Sequence, residues 1–145
     1  MNLLKTQYRK LFEQHPNKTC FILKDNEVIF TSEEKGVKPM IDFYLLNGIS
    51  LEPLTVVDRI IGKGALMLAK LIGANYVVTP IISEIALKFA DEQNIIVEYS
   101  KVVPHIINRA KDGQCPIEIS VTDIDDIDVG YERIQKTLLD LKKNK

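Results

Sequence analysis

Tryptophan is absent from the 145 residues, and cysteine and histidine occur only twice each. Cys20, Cys115, His15 and His105 form no pair at ligand-like spacing, so the chain has neither a zinc knuckle nor a C-x-x-C redox motif. No metal and no cofactor is expected. An excess of one charge is also lacking: 19 basic side chains face 20 acidic ones, for a formal net charge of -1. Such a balance gives no general pull toward nucleic acid or an anionic membrane, and neither is expected as a partner. There is no transmembrane run. The opening MNLLKTQYRKLFEQ is charged throughout and lacks the apolar stretch of a signal peptide. A cytoplasmic chain is therefore expected, its two cysteines free thiols in a reducing compartment.

What is present is an ordinary globular composition, 46% hydrophobic and 27% charged. At this length a single domain over residues 1–145 is expected, with enough chain to bury a core. Leu3, Leu4, Tyr8, Leu11 and Phe12 recur at helical spacing and predict a helix over 2–14. TCFILK and EVIFTS flank Asp25-Asn26 and read as a hairpin, 19–24 with 27–32. Cys20 then falls in a buried strand. A short helix fits from about Pro39 to Leu46.

From Thr55 to Ile72 the apolar residues Val56, Ile60, Met67 and Leu71 share one helical face, with Val57, Ile61, Leu68 and Ile72 beside it. That arc predicts one long, largely covered helix, its glycines and alanines packing closely on a sheet. NYVVTP reads as a strand ending at Pro80. Ser83 caps the helix SEIALKFADEQ, and IIVEYS supplies another strand. A crossover helix between strands implies parallel pairing. A helix over about 128–143 closes the chain. The sum is α/β: a mixed sheet with helices on both faces.

Three places carry residues suited to chemistry. In TVVDRIIGKGA, Thr55 and Asp58 form a T-x-x-D capping box at the start of the long helix. Lys63 lies within roughly 40° of Arg59 and Lys70 on a helical wheel, which suits a solvated basic stripe as well as an anion contact. The G-K-G triplet lacks the earlier glycine and the following Ser/Thr of a phosphate loop, so no nucleotide site of that type is present. Ser83 heads a helix directly after a strand, where backbone N–H groups attract anions, although an ordinary cap explains it equally. No G-x-S-x-G elbow surrounds it. The third place is VVPHIINRAKDGQCPIE, which gathers His105, Asn108, Arg109 and Cys115 around a K-D-G turn. A thiol near Arg or His⁺ can become a nucleophile; a loop closing over the sheet is the alternative.

DRIIGKGALML, VVTPIISEIALKFADEQNIIVEY and VPHIINRAKDGQCPIE, preceded by FTSEEKGVKPMIDFY, resemble a domain-of-unknown-function family of small bacterial proteins with a cytidine-deaminase-like fold. The markers are D-x-x-x-G-K-x-A and N-R-x-x-x-G-x-C-P-x-E. The resemblance implies a three-layer α/β/α sandwich with a mixed sheet. Zinc deaminases carry H-x-E or C-x-E at one helix start and P-C-x-x-C at the next. Here Pro80 is kept, but Ile81 and Glu84 stand where cysteines belong, and VVDRIIGK offers neither His nor Cys. The resemblance therefore implies a deaminase-like fold without its metal.

In that frame the helix starts at Asp58 and Ser83 flank a vacated site, and the segment from His105 to Cys115 covers it. Cys115 would serve as nucleophile and Asp58 as proton acceptor or orienting group. Lys63, Ser83, His105, Asn108 and Arg109 would line a ligand site. Three functions stay open: binding of a small anionic metabolite or nucleotide, a cysteine-dependent transfer using Cys115, and a non-catalytic interaction module. The last would pair through an edge strand or an apolar helix face. Deaminase-like folds commonly self-associate, so a homodimer or larger homo-oligomer is expected.

Overall fold

Asp25 and Asn26 both adopt positive φ, 52° and 65°, the backbone of the two-residue turns that match strand twist. They join β1 (Cys20–Lys24) to β2 (Glu27–Ser32), as the sequence predicts. The computed structural model describes residues 6–108, 111 and 113–143. In it α1 (Thr6–Gln14) precedes the hairpin and α2 (Lys38–Asn47) follows it.

The predicted helix over 55–72 is not one helix. Its first part forms β3 (Leu54–Asp58) and the two-residue β4 (Ile60–Ile61); only α3 (Lys63–Ile72) is helical. Leu-Thr-Val-Val and Ile-Ile are rich in β-branched side chains, which suit a strand. A strand buried on both faces is continuously apolar, so periodicity alone cannot separate it from a buried helix. With the helix start displaced, the Thr55–Asp58 capping box does not exist: Thr55 pairs with Leu23 on one side and Tyr76 on the other.

β5 (Ala74–Ser83), α4 (Glu84–Glu92) and β6 (Ile96–Val103) complete the parallel part of the sheet. β1 runs antiparallel to both β2 and β3, while β3, β4 and β6 all run parallel to β5. Val57↔Val78 and Ile60↔Ile81 share one offset, so β4 continues β3 after a break at Asp58-Arg59. Pro80 stands opposite that break and has no partner in either ladder. A proline inside a central strand is tolerated where the ladder is interrupted. The Thr79 hydroxyl bridges the gap, donating to Ile81 O (2.9 Å) and accepting from Ile81 N (3.3 Å). The strand predicted to stop at Pro80 therefore runs on to Ser83.

Alternate residues along the strands face opposite sides. Cys20, Ile22, Val56 and Val77 enter the larger core with α2, α3 and α4, whereas Phe21, Leu23, Val57 and Val78 meet Tyr8, Leu11 and Phe12 of α1. Helices thus lie on both faces. The chain then adds α5 (Pro116–Ser120) and α6 (Ile127–Lys143), the second close to its predicted span. Both pack on α3, which is therefore covered on nearly every side. No described helix is long and apolar enough to cross a membrane.

Small residues set these contacts. A methyl group at Gly64 would lie 2.7 Å from Cγ2 of Ile117 on α5. Gly64→Ala is predicted to lower stability by about 1–3 kcal/mol through overpacking, even though alanine favours a helix by about 1 kcal/mol over glycine. Urea unfolding measures it; a stabilised variant would mean that α5 is not docked on α3.

Candidate functional site

The first N–H groups of any helix lack partners within it. α3 begins at Lys63 after Gly62, which has no side chain with which to cap it. The acceptor comes from α5: Glu118 Oε2 takes the Lys63 N–H at 2.8 Å. The same oxygen accepts from the Ser83 hydroxyl at 2.6 Å, while Ser83 Oγ caps α4 by accepting from Ala86 N at 3.2 Å. Glu118 Oε1 takes the Ile106 N–H at 2.9 Å. One carboxylate thus joins the starts of two helices to the segment leaving β6. Glu118 is only 4% exposed and Ser83 is fully buried. The approach requires Gly62, because a Cβ there would lie 2.9 Å from Glu118 Oε2.

Lys63 is not on a solvated stripe. It is 3% exposed, and its ammonium donates to Thr122 O (3.1 Å) and Asp125 Oδ1 (3.0 Å). It also lies 5.5 Å from the Phe89 ring centre, within cation–π range. Arg59 points elsewhere, donating to Lys18 O at 2.9 Å and stacking over Phe12. The wheel failed because Arg59 precedes the helix. Lys63 instead works at both ends: its backbone caps against Glu118 and its side chain holds the turn after α5.

Asp58 occupies a second buried site at the break between β3 and β4. Its Oδ1 accepts from Arg59 N at 2.7 Å and Ile60 N at 3.5 Å. Its position pairs with Cys20 across the sheet. Burial raises the Asp58 pKa to about 7, only partly offset by those N–H groups, the Cys20 thiol and Arg59. Burial and the neighbouring Asp58 push the Cys20 thiol well up, so this cysteine is an inert core residue. Asp58 is not at a helix start and bonds to none of Lys63, Ser83 or Glu118.

The remaining predicted residues are less concentrated. His105 and Asn108 are half-buried beside Ile106, and the Asn108 N–H donates to Gly113 O at 2.9 Å. Cys115 is half-buried against the main core, with its N–H bonded to Ile106 O at 2.8 Å. No described residue gives its sulfur a hydrogen bond. Arg109 lies outside the described residues. Of the predicted set, Lys63 and Ser83 come together, and the residue joining them is one the sequence reading passed over. Cys115-Pro116-Ile117-Glu118 carried the signal: proline at the first helical position with an acid two residues on marks a helix start. Two open grooves of about 560 and 650 Å³ are lined by other residues, and neither includes Lys63, Ser83 or Glu118.

Residues 8–138 match the family described as "Domain of unknown function (DUF1893)". The chain belongs to the DUF1893 family. A crystal structure of a DUF1893 family protein from Thermotoga maritima superposes with a TM-score of 0.77 at 23% identity, covering 96% of this chain and 93% of that one. At that identity the likeness establishes the fold. No curated protein matches. The two motifs noted in the sequence meet in the structure, since Gly62-Lys63 of the first receives Glu118 of the second.

Two substitutions test the buried acids. Glu118→Gln places an N–H₂ against either Ile106 N–H or the Lys63 and Ser83 donors, and should cost about 3 kcal/mol in chemical unfolding. A change below about 0.5 kcal/mol would contradict the junction. For Asp58 the folded pKa exceeds the unfolded one, so its contribution is full below about 3.8 and is lost as pH rises through about 7. Wild-type stability should therefore fall between about pH 5 and about pH 7, by at most about 1.4 kcal/mol per pH unit. Asp58→Asn should flatten that slope; an unchanged slope would place the titration elsewhere.

Proposed function

We propose that this DUF1893 chain is a single-domain, metal-free relative of the cytidine-deaminase-like fold that works as a non-catalytic binding and assembly module. The observation carrying the reading is the Glu118 carboxylate at the junction of α3 and α4. Zinc deaminases use two helix starts to present metal ligands and an activated water. Here the corresponding donors, Lys63 N and Ser83 Oγ, are spent on the protein's own acid. The residues do not fit a zinc ion: among the described residues no three of His, Cys, Asp and Glu gather as a metal-holding group, and Glu118 Oε2 fills the space against Gly62. The two free thiols suit a cytoplasmic setting.

Binding of a small anionic metabolite or nucleotide is the second reading, and one observation favours it. The junction is already an anion cradle, with three donors converging on a carboxylate. An external anion would have to displace Glu118. The cysteine-dependent transfer reading draws less support, because no described residue hydrogen-bonds the Cys115 sulfur.

Two measurements separate these readings. In a thermal-shift screen of phosphate, nucleoside phosphates and small carboxylates, the module reading expects no change in Tm beyond a general salt effect. A saturable rise of several degrees with one anion, abolished in Ser83→Ala, would establish the cradle as a ligand site. In thiol labelling at neutral pH, Cys115 should react no faster than an unstructured thiol and Cys20 only on unfolding. A Cys115 rate at least tenfold above the unstructured control would overturn the non-catalytic reading.

A further inference from the structure

Of the eight asparagines in the chain, Asn47 alone is followed by glycine. The side-chain amide of an asparagine is open to attack by the backbone nitrogen of the next residue, and glycine leaves that approach unhindered because it has no Cβ. In this reaction the Gly48 N–H gives its proton to solvent base, and its nitrogen bonds to Cγ of Asn47. The Cγ–Nδ2 bond breaks, and Nδ2 leaves as ammonia with a proton from water. Water then opens the five-membered imide at either carbonyl, giving aspartate or, with the chain rerouted through Cγ, isoaspartate. Asn47 is exposed at the end of α2, and a Cβ at Gly48 would meet nothing within 4 Å, so solvent has access to the site. Both reacting groups are nonetheless engaged. Asn47 Nδ2 donates to Phe43 O at 3.2 Å, and Gly48 N donates to Tyr44 O at 2.7 Å. The second bond closes a carbonyl of the last turn that the helix itself leaves open.

We propose that Asn47-Gly48 is a site of spontaneous deamidation whose rate is set by opening of the last turn of α2. In the closed turn the proton that must leave Gly48 N is held by Tyr44 O, and the side-chain amide is turned back along the helix to Phe43 O. Attack on Cγ requires both bonds to let go. The turn can open without the rest of the helix: Leu45, Leu46 and Asn47 are all exposed, while Phe43 is buried and holds α2 to the core. Exposed ends with few buried contacts open far more readily than a core does. The products close less well than the starting chain. A carboxylate at position 47 sits at the negative end of the helix dipole and has no N–H to offer Phe43 O. Isoaspartate adds a carbon to the backbone just before Gly48, which shifts its N–H from Tyr44 O. Each event therefore loosens the end of α2 for good. The inference is independent of the binding and assembly reading, since it concerns a covalent change remote in sequence from the Glu118 junction.

Peptide mapping by mass spectrometry tests this on the full chain aged at mildly alkaline pH, folded, in low urea and fully unfolded in urea. Unfolded, Asn47 should convert ahead of every other asparagine. Folded, it should still convert first but about ten- to a hundredfold more slowly. Low urea should leave that folded rate unchanged, because opening one turn exposes little surface. Equal folded and unfolded rates would overturn the gate, and a folded rate climbing steeply with urea would replace it by global unfolding. Another asparagine reacting first, or no product at Asn47 after about a hundred unfolded-state half-lives, would overturn the site itself. Asn47→Asp installs the aspartate product directly and should lower Tm by about a few degrees. A Tm equal to or above that of wild type would overturn the loosening of α2.

Discussion

A buried carboxylate without partners would be among the most expensive groups in a fold of this size. Glu118 is affordable because three separate segments supply its hydrogen bonds, and each of those segments needs an acceptor of its own. Lys63 N at the head of α3 has no partner within its helix, and the Ser83 hydroxyl has a hydrogen left over after capping α4. Ile106 N belongs to the chain leaving β6. The α5 turn is thereby fixed over the heads of α3 and α4. Its position then decides the rest: Ile117 rests on Gly64, the Lys63 ammonium holds Thr122 and Asp125, and α6 can lie along α3 with Gly130 against Met67. Removing the carboxylate would unfasten a whole layer.

Under the proposed reading, the same physics accounts for a fold that keeps this junction without a metal. Two helix starts pointing at one place create a positive potential that calls for negative charge. A metal site meets the demand with anionic ligands; here an acid from the chain itself meets it. Under the proposed reading the scaffold survives because Glu118 satisfies the convergence, and a chemical function could lapse without a loss of stability. The anion preference that would suit a ligand is then internalised.

The elements with local punctuation were legible in the sequence. Asp25-Asn26 announced the hairpin, Ser83 announced α4, and amphipathic spacing announced α1 and α6. The segment over 54–72 was misread because a doubly buried strand and a buried helix are both continuously apolar. The deciding feature, a break at Asp58-Arg59 opposite Pro80, appears only once β5 is aligned beside it. Lys63 looked solvated because its neighbours on an imagined wheel were basic. Its partners lie 59 and 62 residues away, and no local pattern encodes a contact of that range. Glu118 closed one of the motifs that carried the family resemblance, yet its role depends on Gly62, a residue 56 positions earlier.

Asp58 and Glu118 are both buried acids, and their contrast shows what a core demands of a carboxylate. Glu118 faces two backbone N–H groups and a hydroxyl, at distances between 2.6 and 2.9 Å. Asp58 has one good backbone donor, one marginal one at 3.5 Å, and a thiol. Thiols are weak donors, so desolvation outweighs hydrogen bonding at Asp58 and the proton is held toward neutral pH. Glu118 is a fastening because its donors come from distant segments. Asp58 bonds mainly its own turn, where a short side chain can end one strand and start the next, and its one remote partner is the weakly donating Cys20 thiol. A buried acid organises a fold when its strong donors come from segments far apart in sequence, and of these two acids Glu118 is the one that meets that condition.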